Sequence, residues 1–251
     1  MHVEKYPKVA VGHMLQHYNR MALNFGNECI DHMRSDLNYN LAPKRHIDDF
    51  LYYRQRLSQV KCQNRADVKT LCSWVITLPK KSFTEAEELK FFQAAYNFMV
   101  KRYDEKNVIS AWVHKDESGQ AHMHFAFIPV CIDRKKGVEK VAAKEVITRN
   151  DLRVIHGEMS KHMERTFGRD VGILNGSTSG GNKTIIELKT RELQKDLNAL
   201  SKVKSQSVTQ LVETIKKRPK ILNDITIAAR IAAGESPVHD KKQNRAHERT
   251  R

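Results

Sequence analysis

Apolar and polar positions switch between a helical and an alternating period along this chain, and the switches divide it into elements. After Pro7, Val9 to Asn24 reads as a helix; its His13 and His17, four apart, project from one face, with Arg20 three residues further on. Arg34 to Leu41 is too polar for a core strand and ends at Ala42-Pro43, so it is expected as a strand or extended loop. Between Ile47 and about Lys61, an apolar stripe of Phe50, Leu51, Leu57 and Val60 is interrupted by Arg54 and Arg56, as on a helix with one solvated face. Leu71 to Leu78 is β-branched and stopped by Pro79, a buried strand. Thr84 precedes Glu85, Glu87 and Glu88, the signature of an N-cap with acids in the first turn. Leu89, Phe92, Tyr96 and Met99 carry the helix on. Val108–His114 and Ala121–Ile128 read as two strands joined by a polar turn containing Ser118-Gly119, an antiparallel hairpin. A short strand near Val138 to Val141 and a helix from Asn150 to Phe167 follow.

Glycines then punctuate the chain, from Gly172 to Gly176 and again at Gly180-Gly181. The expected organisation is an α+β domain over residues 1–175, a Gly/Ser-rich joint at 176–183, a helical appendage at 184–234 built on Leu193, Leu197, Leu200, Leu211 and Ile215, and a basic disordered tail at 235–251.

Composition narrows the class. Lys and Arg number 44 against 29 Asp and Glu, a formal charge of +15, so the molecule's field attracts polyanions and nucleic acid is the leading partner. No run of about 18 apolar residues is present to cross a bilayer, and the start, Met1-His2-Val3-Glu4-Lys5, lacks the pattern of a signal peptide; a cytoplasmic protein without membrane insertion is expected. Cys29, Cys62, Cys72 and Cys131 lie too far apart for a metal clip and are read as reduced packing residues.

The chemistry concentrates in the hairpin. Strand side chains alternate, so His122 and His124 emerge on one face while Met123 points to the other, and a turn brings His114 next to the pair. Three neutral imidazoles facing one spot suit a divalent metal with open positions for substrate. Asp116 and Glu117, in the turn, are placed to orient a ligand or take a proton. Arg20, Arg34 and Arg65 have the fork geometry for phosphate, and Asn38 and Asn64 suit backbone or bases. Tyr52-Tyr53 either stack on bases or seal a core.

Three segments resemble the Mob/Pre plasmid mobilisation relaxases, members of the histidine–hydrophobic–histidine (HUH) endonucleases. His114-Lys-Asp-Glu-Ser-Gly-Gln-Ala-His-Met-His124 with Ile128-Pro129 resembles the family's metal motif, Arg34-Ser-Asp-Leu-Asn-Tyr39 its Arg-Ser-x-Leu-Asn-Tyr block, and His17-Tyr-Asn-Arg20 its amino-terminal His-x-x-Arg. Gln63-Asn64-Arg65 is similar to an Asn-Arg pair upstream of the Trp74 strand. The chain departs from the family by one extra residue between Glu117 and His122, and by Ala121 where a proline usually stands.

The resemblance implies a central antiparallel sheet flanked by helices, and a Mn²⁺ or Mg²⁺ ion on His114, His122 and His124. It implies cleavage of one strand at a plasmid origin of transfer, single-stranded at the nick beside a hairpin or duplex, in a bacterial cytoplasm. The protein would stay joined to the 5′ phosphate, with His17 as nucleophile and Glu117 as its base, and Asp116 would support a ligand from behind. A conjugation coupling protein would be a further partner; oligomeric state is left open. Tyr18 is the rival nucleophile and Tyr39 a more distant one. Adjacent helical residues point about 100° apart, so only one of His17 and Tyr18 is expected to face the metal. A rolling-circle replication initiator using a tyrosine, and a DNA-binding protein with a structural metal, are the competing readings.

Overall fold

The computed structural model describes residues 1–21, 30–117, 119–174 and 194–195. Two compact units divide the chain, Met1–Asn175 and Gly176–Arg251; the expected joint and tail, the expected appendage apart from 194–195, Cys29 and the Ser118 position lie outside the described residues.

The first unit is built on a five-stranded antiparallel sheet in the order β1-β3-β5-β4-β2, from β1 (His2–Pro7), β2 (Tyr39–Asn40), β3 (Lys69–Thr77), β4 (Val108–His114) and β5 (His122–Phe127). Register follows the alternation of each strand. Cys72, Trp74 and Ile76 of β3, Ala111 and Val113 of β4, and Met123, Phe125 and Phe127 of β5 share one face. That face buries against α3 (Glu85–Tyr103) and α5 (Arg149–Phe167). Each large apolar side chain withdrawn from water contributes ~1.5–3 kcal/mol, and Trp74 keeps its indole N–H satisfied by donating to the Tyr103 hydroxyl at 3.0 Å.

The opposite face carries Leu71 and Ser73 of β3, Ala126 of β5 and Trp112 of β4, joined by Ile109 through a register shift between Val108 and Ser110; α1 (Lys8–Tyr18) and α2 (Asp49–Ser58) cover it in part. A small ribbon of β6 (Val130–Ile132) and β7 (Glu139–Val141), then α4 (Ala143–Val146), leads into α5. Buried Arg56 ties α2 to this ribbon, donating to Asn107 Oδ1 at 3.0 Å and to Glu139 at 2.8 Å.

The expected Thr84 cap is in place as a capping box, with Glu87 N–H donating to Thr84 Oγ1 at 3.2 Å and Thr84 N–H to the Glu87 carboxylate at 3.0 Å. Three expectations need correction. The first helix stops at Tyr18, because Asn19 caps it and Arg20 takes a left-handed φ of 58°. The segment from Arg34 begins inside a 3-10 turn, His32–Leu37, started by the Asp31 carboxylate accepting from Met33 N–H, and only Tyr39–Asn40 is extended. The β1 strand was not anticipated: Lys5 sits on the helix-covered face, donating to the carbonyls of Ala143 and Ile147 at 3.4 and 3.3 Å, which hides the alternation. Among the described cysteines Cys72 is core, while Cys62 and Cys131 are partly exposed free thiols.

Candidate active site

The antiparallel register places His114 directly across from His122, and Trp112 across from His124, so the three histidines gather on the sheet face that α1 and α2 leave partly open. The ring centres of His114 and His124 are 4.8 Å apart, His122 and His124 5.0 Å, and His114 and His122 5.4 Å. One ligand nitrogen from each lies within 4.8 Å of the others. From the end of α1, His17 sets its ring edge-on to His114 and His124, 5.9 Å from each.

Backbone acceptors decide which nitrogen of each ring is available. His114 Nε2 lies 2.8 Å from the Tyr18 carbonyl, an acceptor only, so it carries the proton and Nδ1 keeps its lone pair. His122 Nδ1 faces the Gln120 carbonyl at 3.3 Å, leaving the lone pair on Nε2. Those two lone pairs then face the Glu117 carboxylate, His114 Nδ1 at 3.5 Å from Oε1 and His122 Nε2 at 3.6 Å from Oε2. Acceptor opposes acceptor across both gaps. His124, a half-buried residue, contributes two buried nitrogens with no hydrogen-bond partner among the described residues. An unpaired buried polar atom costs ~1–3 kcal/mol; a cation shared by three neutral imidazoles and a carboxylate resolves the conflict, so the residues fit a divalent metal.

The electrostatics agree. Burial lowers the pKa of His122 and pushes that of His124 well below the usual range, with the neighbouring imidazoles adding to the effect on His124; both rings are neutral at neutral pH. Burial and the Arg20 cation lower His17 to about 4, against the opposing pull of Glu117. Glu117, although burial favours its neutral form, is held down to about 2, with the Arg20 guanidinium donating to it at 2.7 Å. Asp116 also lies far below the ordinary carboxylate range, because hydrogen bonds from Arg20, Asn38 and Ser35 outweigh its burial.

These shifts have a measurable sign. Unfolded histidines titrate near ~6.5, so below that pH the unfolded chain binds protons that folded His17, His122 and His124 still refuse. Their stability is complete above about pH 6.5 and is lost as pH falls toward their lowered values. The metal-free protein is therefore expected to melt lower at about pH 5 than at about pH 7, by ~2–4 °C for each ~1 kcal/mol lost. A melting temperature that is flat or higher at the lower pH would contradict the assigned protonation states.

The remaining expected residues divide. Arg20 is committed to the carboxylates of the turn, with Nε and Nη2 donating to Asp116 at 2.8 and 2.7 Å and Nη2 to Glu117 at 2.7 Å. It fastens α1 to the turn and brings Glu117 in despite the extra residue before His122. Asn38 is likewise structural, its side-chain oxygen accepting from Lys115 N–H at 2.7 Å. Arg34 is exposed on the 3-10 turn. Asn64 and Arg65 are exposed before β3, with Arg65 3.2 Å from Asp67; the register puts the start of β3 at the end of the sheet opposite Thr77 and His122.

Tyr53 seals the core with its hydroxyl 2.6 Å from Thr70 Oγ1, and Tyr52 packs under Arg45, whose guanidinium carbon lies 3.7 Å from the ring centre. Tyr39 packs on the α3–α5 face, away from the histidines. The rings of His17 and Tyr18 both lie against His124, and His17 also meets His114. The His124 ring stands beside each, stacked on Tyr18 at 4.6 Å, while the Tyr18 hydroxyl points into the core.

Sequence reasoning missed the clasp that holds the turn. Ser35 Oγ donates to Asp116 at 2.9 Å and Asp31 N–H to the Asp116 carbonyl at 2.7 Å, while Ala111 N–H, donating to Asn40 Oδ1 at 2.9 Å, pins β2 to β4. The signal lay in the polar Arg34–Tyr39 block, whose short side chains suit backbone capping as well as DNA.

The chain is 28% identical over 229 residues to a plasmid recombination enzyme of Bacillus thuringiensis, covering 90% of this chain and 50% of that protein. It is 31% identical over 187 residues to one of Lactiplantibacillus plantarum, covering 71% and 50%. The chain thus spans about half the length of these curated relatives. The fold is similar to that of the MobM relaxase domain, solved Mn-bound and in complex with plasmid pMV158 oriT DNA, with a TM-score of 0.60 and 26% identity over 76% of this chain and 96% of that one. Residues 1–183 match the Mob_Pre family of plasmid recombination enzymes, and the chain belongs to that family.

Proposed function

We propose that this chain is a relaxase: it nicks one strand of DNA at a plasmid origin of transfer in a divalent-metal-dependent transesterification, for mobilisation of the plasmid. The observation that carries the reading is the meeting of His17 with His114 and His124, a neutral nucleophile beside converging lone pairs that fit a divalent cation. Support comes also from relatives named plasmid recombination enzymes and from the MobM domain, solved with oriT DNA and manganese.

His114 Nδ1, His122 Nε2 and His124 would hold Mn²⁺ or Mg²⁺, with the Glu117 carboxylate alongside. Such an ion supplies Lewis-acid stabilisation of charge on the scissile phosphate. The protein's own residues do the rest. His17, kept neutral by burial and Arg20, offers a ring nitrogen to phosphorus at physiological pH. As the N–P bond forms, the bond from phosphorus to the 3′ oxygen breaks; the 5′ phosphate stays on the protein and the released strand ends in a 3′ hydroxyl after taking a proton. Glu117, ionised at working pH, offsets the positive charge that develops on the His17 ring, whose N–H proton passes to solvent as the departing 3′ oxygen takes one up. Asp116 and Arg20 keep the turn rigid behind it. Arg34 and the chain's positive charge favour the DNA backbone, so binding weakens as salt rises. No helix among the described residues is long and apolar enough to cross a membrane. We place the activity in the bacterial cytoplasm, with a conjugation coupling protein as the next partner.

The test is incubation with supercoiled plasmid carrying the cognate origin. A single-strand break should appear with Mn²⁺ or Mg²⁺ and disappear with chelator. Binding without any break would leave a DNA-binding protein with a structural metal. A break linked through tyrosine would point to replication-initiator chemistry.

A further inference from the structure

We propose that Tyr18 is the positioning residue of the metal centre: its carbonyl aims His114 and its ring holds His124, so the residue after the candidate nucleophile joins the first helix to two of the three ligands. The inference rests on the metal-site reading above and adds to it a device located outside the ligand set.

Two independent contacts carry it. Tyr18 is the last residue of α1, and its carbonyl is among those a helix end leaves without an intrahelical partner. The left-handed turn at Arg20 ends the helix there, and the carbonyl is met by His114 Nε2 at 2.8 Å. That bond selects the tautomer whose Nδ1 lone pair looks toward Glu117 and His122.

The second contact is the ring. His124 has no hydrogen bond from either nitrogen to set its rotation, and the terminal torsion of a histidine is soft. Its neighbours confine it, with Val75 across on β3 and a set of aromatic rings around it. His17, His114 and His122 approach edge-on or tilted, and Tyr18 lies against its face, 4.6 Å between centres with planes 25° apart. An offset stack of this kind restrains rotation out of plane. The phenol hydroxyl has a different neighbourhood, beside Ser73 and Tyr6 under the helix, and plays no part in holding His124. The same burial explains why Tyr18 is a support and not the attacking group.

The whole chain is titrated with Mn²⁺ by calorimetry, as wild type, Tyr18→Phe and Tyr18→Leu, alongside NMR of the histidine rings without metal. Tyr18→Phe keeps the ring and the carbonyl and should bind within about twofold of wild type. Tyr18→Leu keeps only the carbonyl and should bind ~10-fold or more weakly, in the range of lost outer-shell support. In its metal-free spectra the His124 ring should sample a second orientation while the hydrogen-bonded Nε2–H of His114 stays. Leu binding as wild type overturns the proposal, and so does Phe binding as weakly as Leu. If the Leu variant does not fold, wild-type NMR decides, since stacking requires the His124 ring protons to be shifted upfield by the Tyr18 ring; unshifted signals overturn it. A wild type that takes up no Mn²⁺ defeats the metal-site reading together with this one, whereas a binding wild type matched by the Leu variant defeats only this one.

Discussion

Replacing His17 with alanine is expected to lower nicking by ~10³-fold or more and to eliminate the covalent protein–DNA adduct, the scale seen when a nucleophile is deleted. The exchange should leave the fold intact, because His17 is partly exposed near the end of α1 and alanine favours a helix. It should leave Mn²⁺ affinity within about twofold, because the ligand lone pairs of His114, His122 and His124 are set by the Tyr18 and Gln120 carbonyls and by ring packing. The adduct itself discriminates among nucleophiles. A phosphoramidate on histidine hydrolyses in mild acid, whereas a tyrosyl phosphodiester survives it. Acid lability with the DNA mapped to His17 is the expected result; an acid-stable adduct on Tyr18 or Tyr39 would defeat the assignment. Tyr18 has its hydroxyl in the core and Tyr39 packs on the other side of the sheet, so neither offers an oxygen to a phosphate beside the three histidines.

His124→Phe is expected to move two observables in opposite directions. Wild type with Mn²⁺ at ~100 times its dissociation constant should gain ~2.7 kcal/mol, a rise of roughly 5–10 °C in melting temperature at ~2–4 °C per kcal/mol. The variant should lose that rise and the nicking activity with it. Without metal, however, it should melt at or above the wild-type temperature, because a phenyl ring fills the space while removing two buried nitrogens that have no partner among the described residues. A site that is costly when empty and stabilising when filled has this signature. A metal-dependent rise retained by the variant would place the ion elsewhere, and a large loss of metal-free stability would mean that the His124 nitrogens are satisfied in a way the geometry does not contain.

Much of the frame was legible because local rules dominate in it. Thr84 and Glu87 form their capping box whatever the surroundings, and the parity of His122, Met123 and His124 puts two imidazoles on one face wherever the strand goes. Elements failed to declare themselves where a distant partner overrides the local pattern. Lys5 is drawn onto the covered face of β1 by carbonyls more than a hundred residues away. Arg20 ends α1 early because Asp116 and Glu117, nearly a hundred residues on, hold its side chain.

The amino-acid sequence by itself determined the candidate donor set, His114, His122 and His124, and the pairing that brings them together, because both follow from side-chain type and strand period. It also determined a basic molecule suited to a polyanion. Only the tertiary structure decided which nitrogen each ring presents, that Arg20 and Asn38 brace the turn, that His17 and Tyr18 stand on two sides of His124, and that burial holds His17 neutral. Tautomer, orientation and charge state are fixed by whatever lies within a few ångströms in space, and most of those neighbours are far away along the chain.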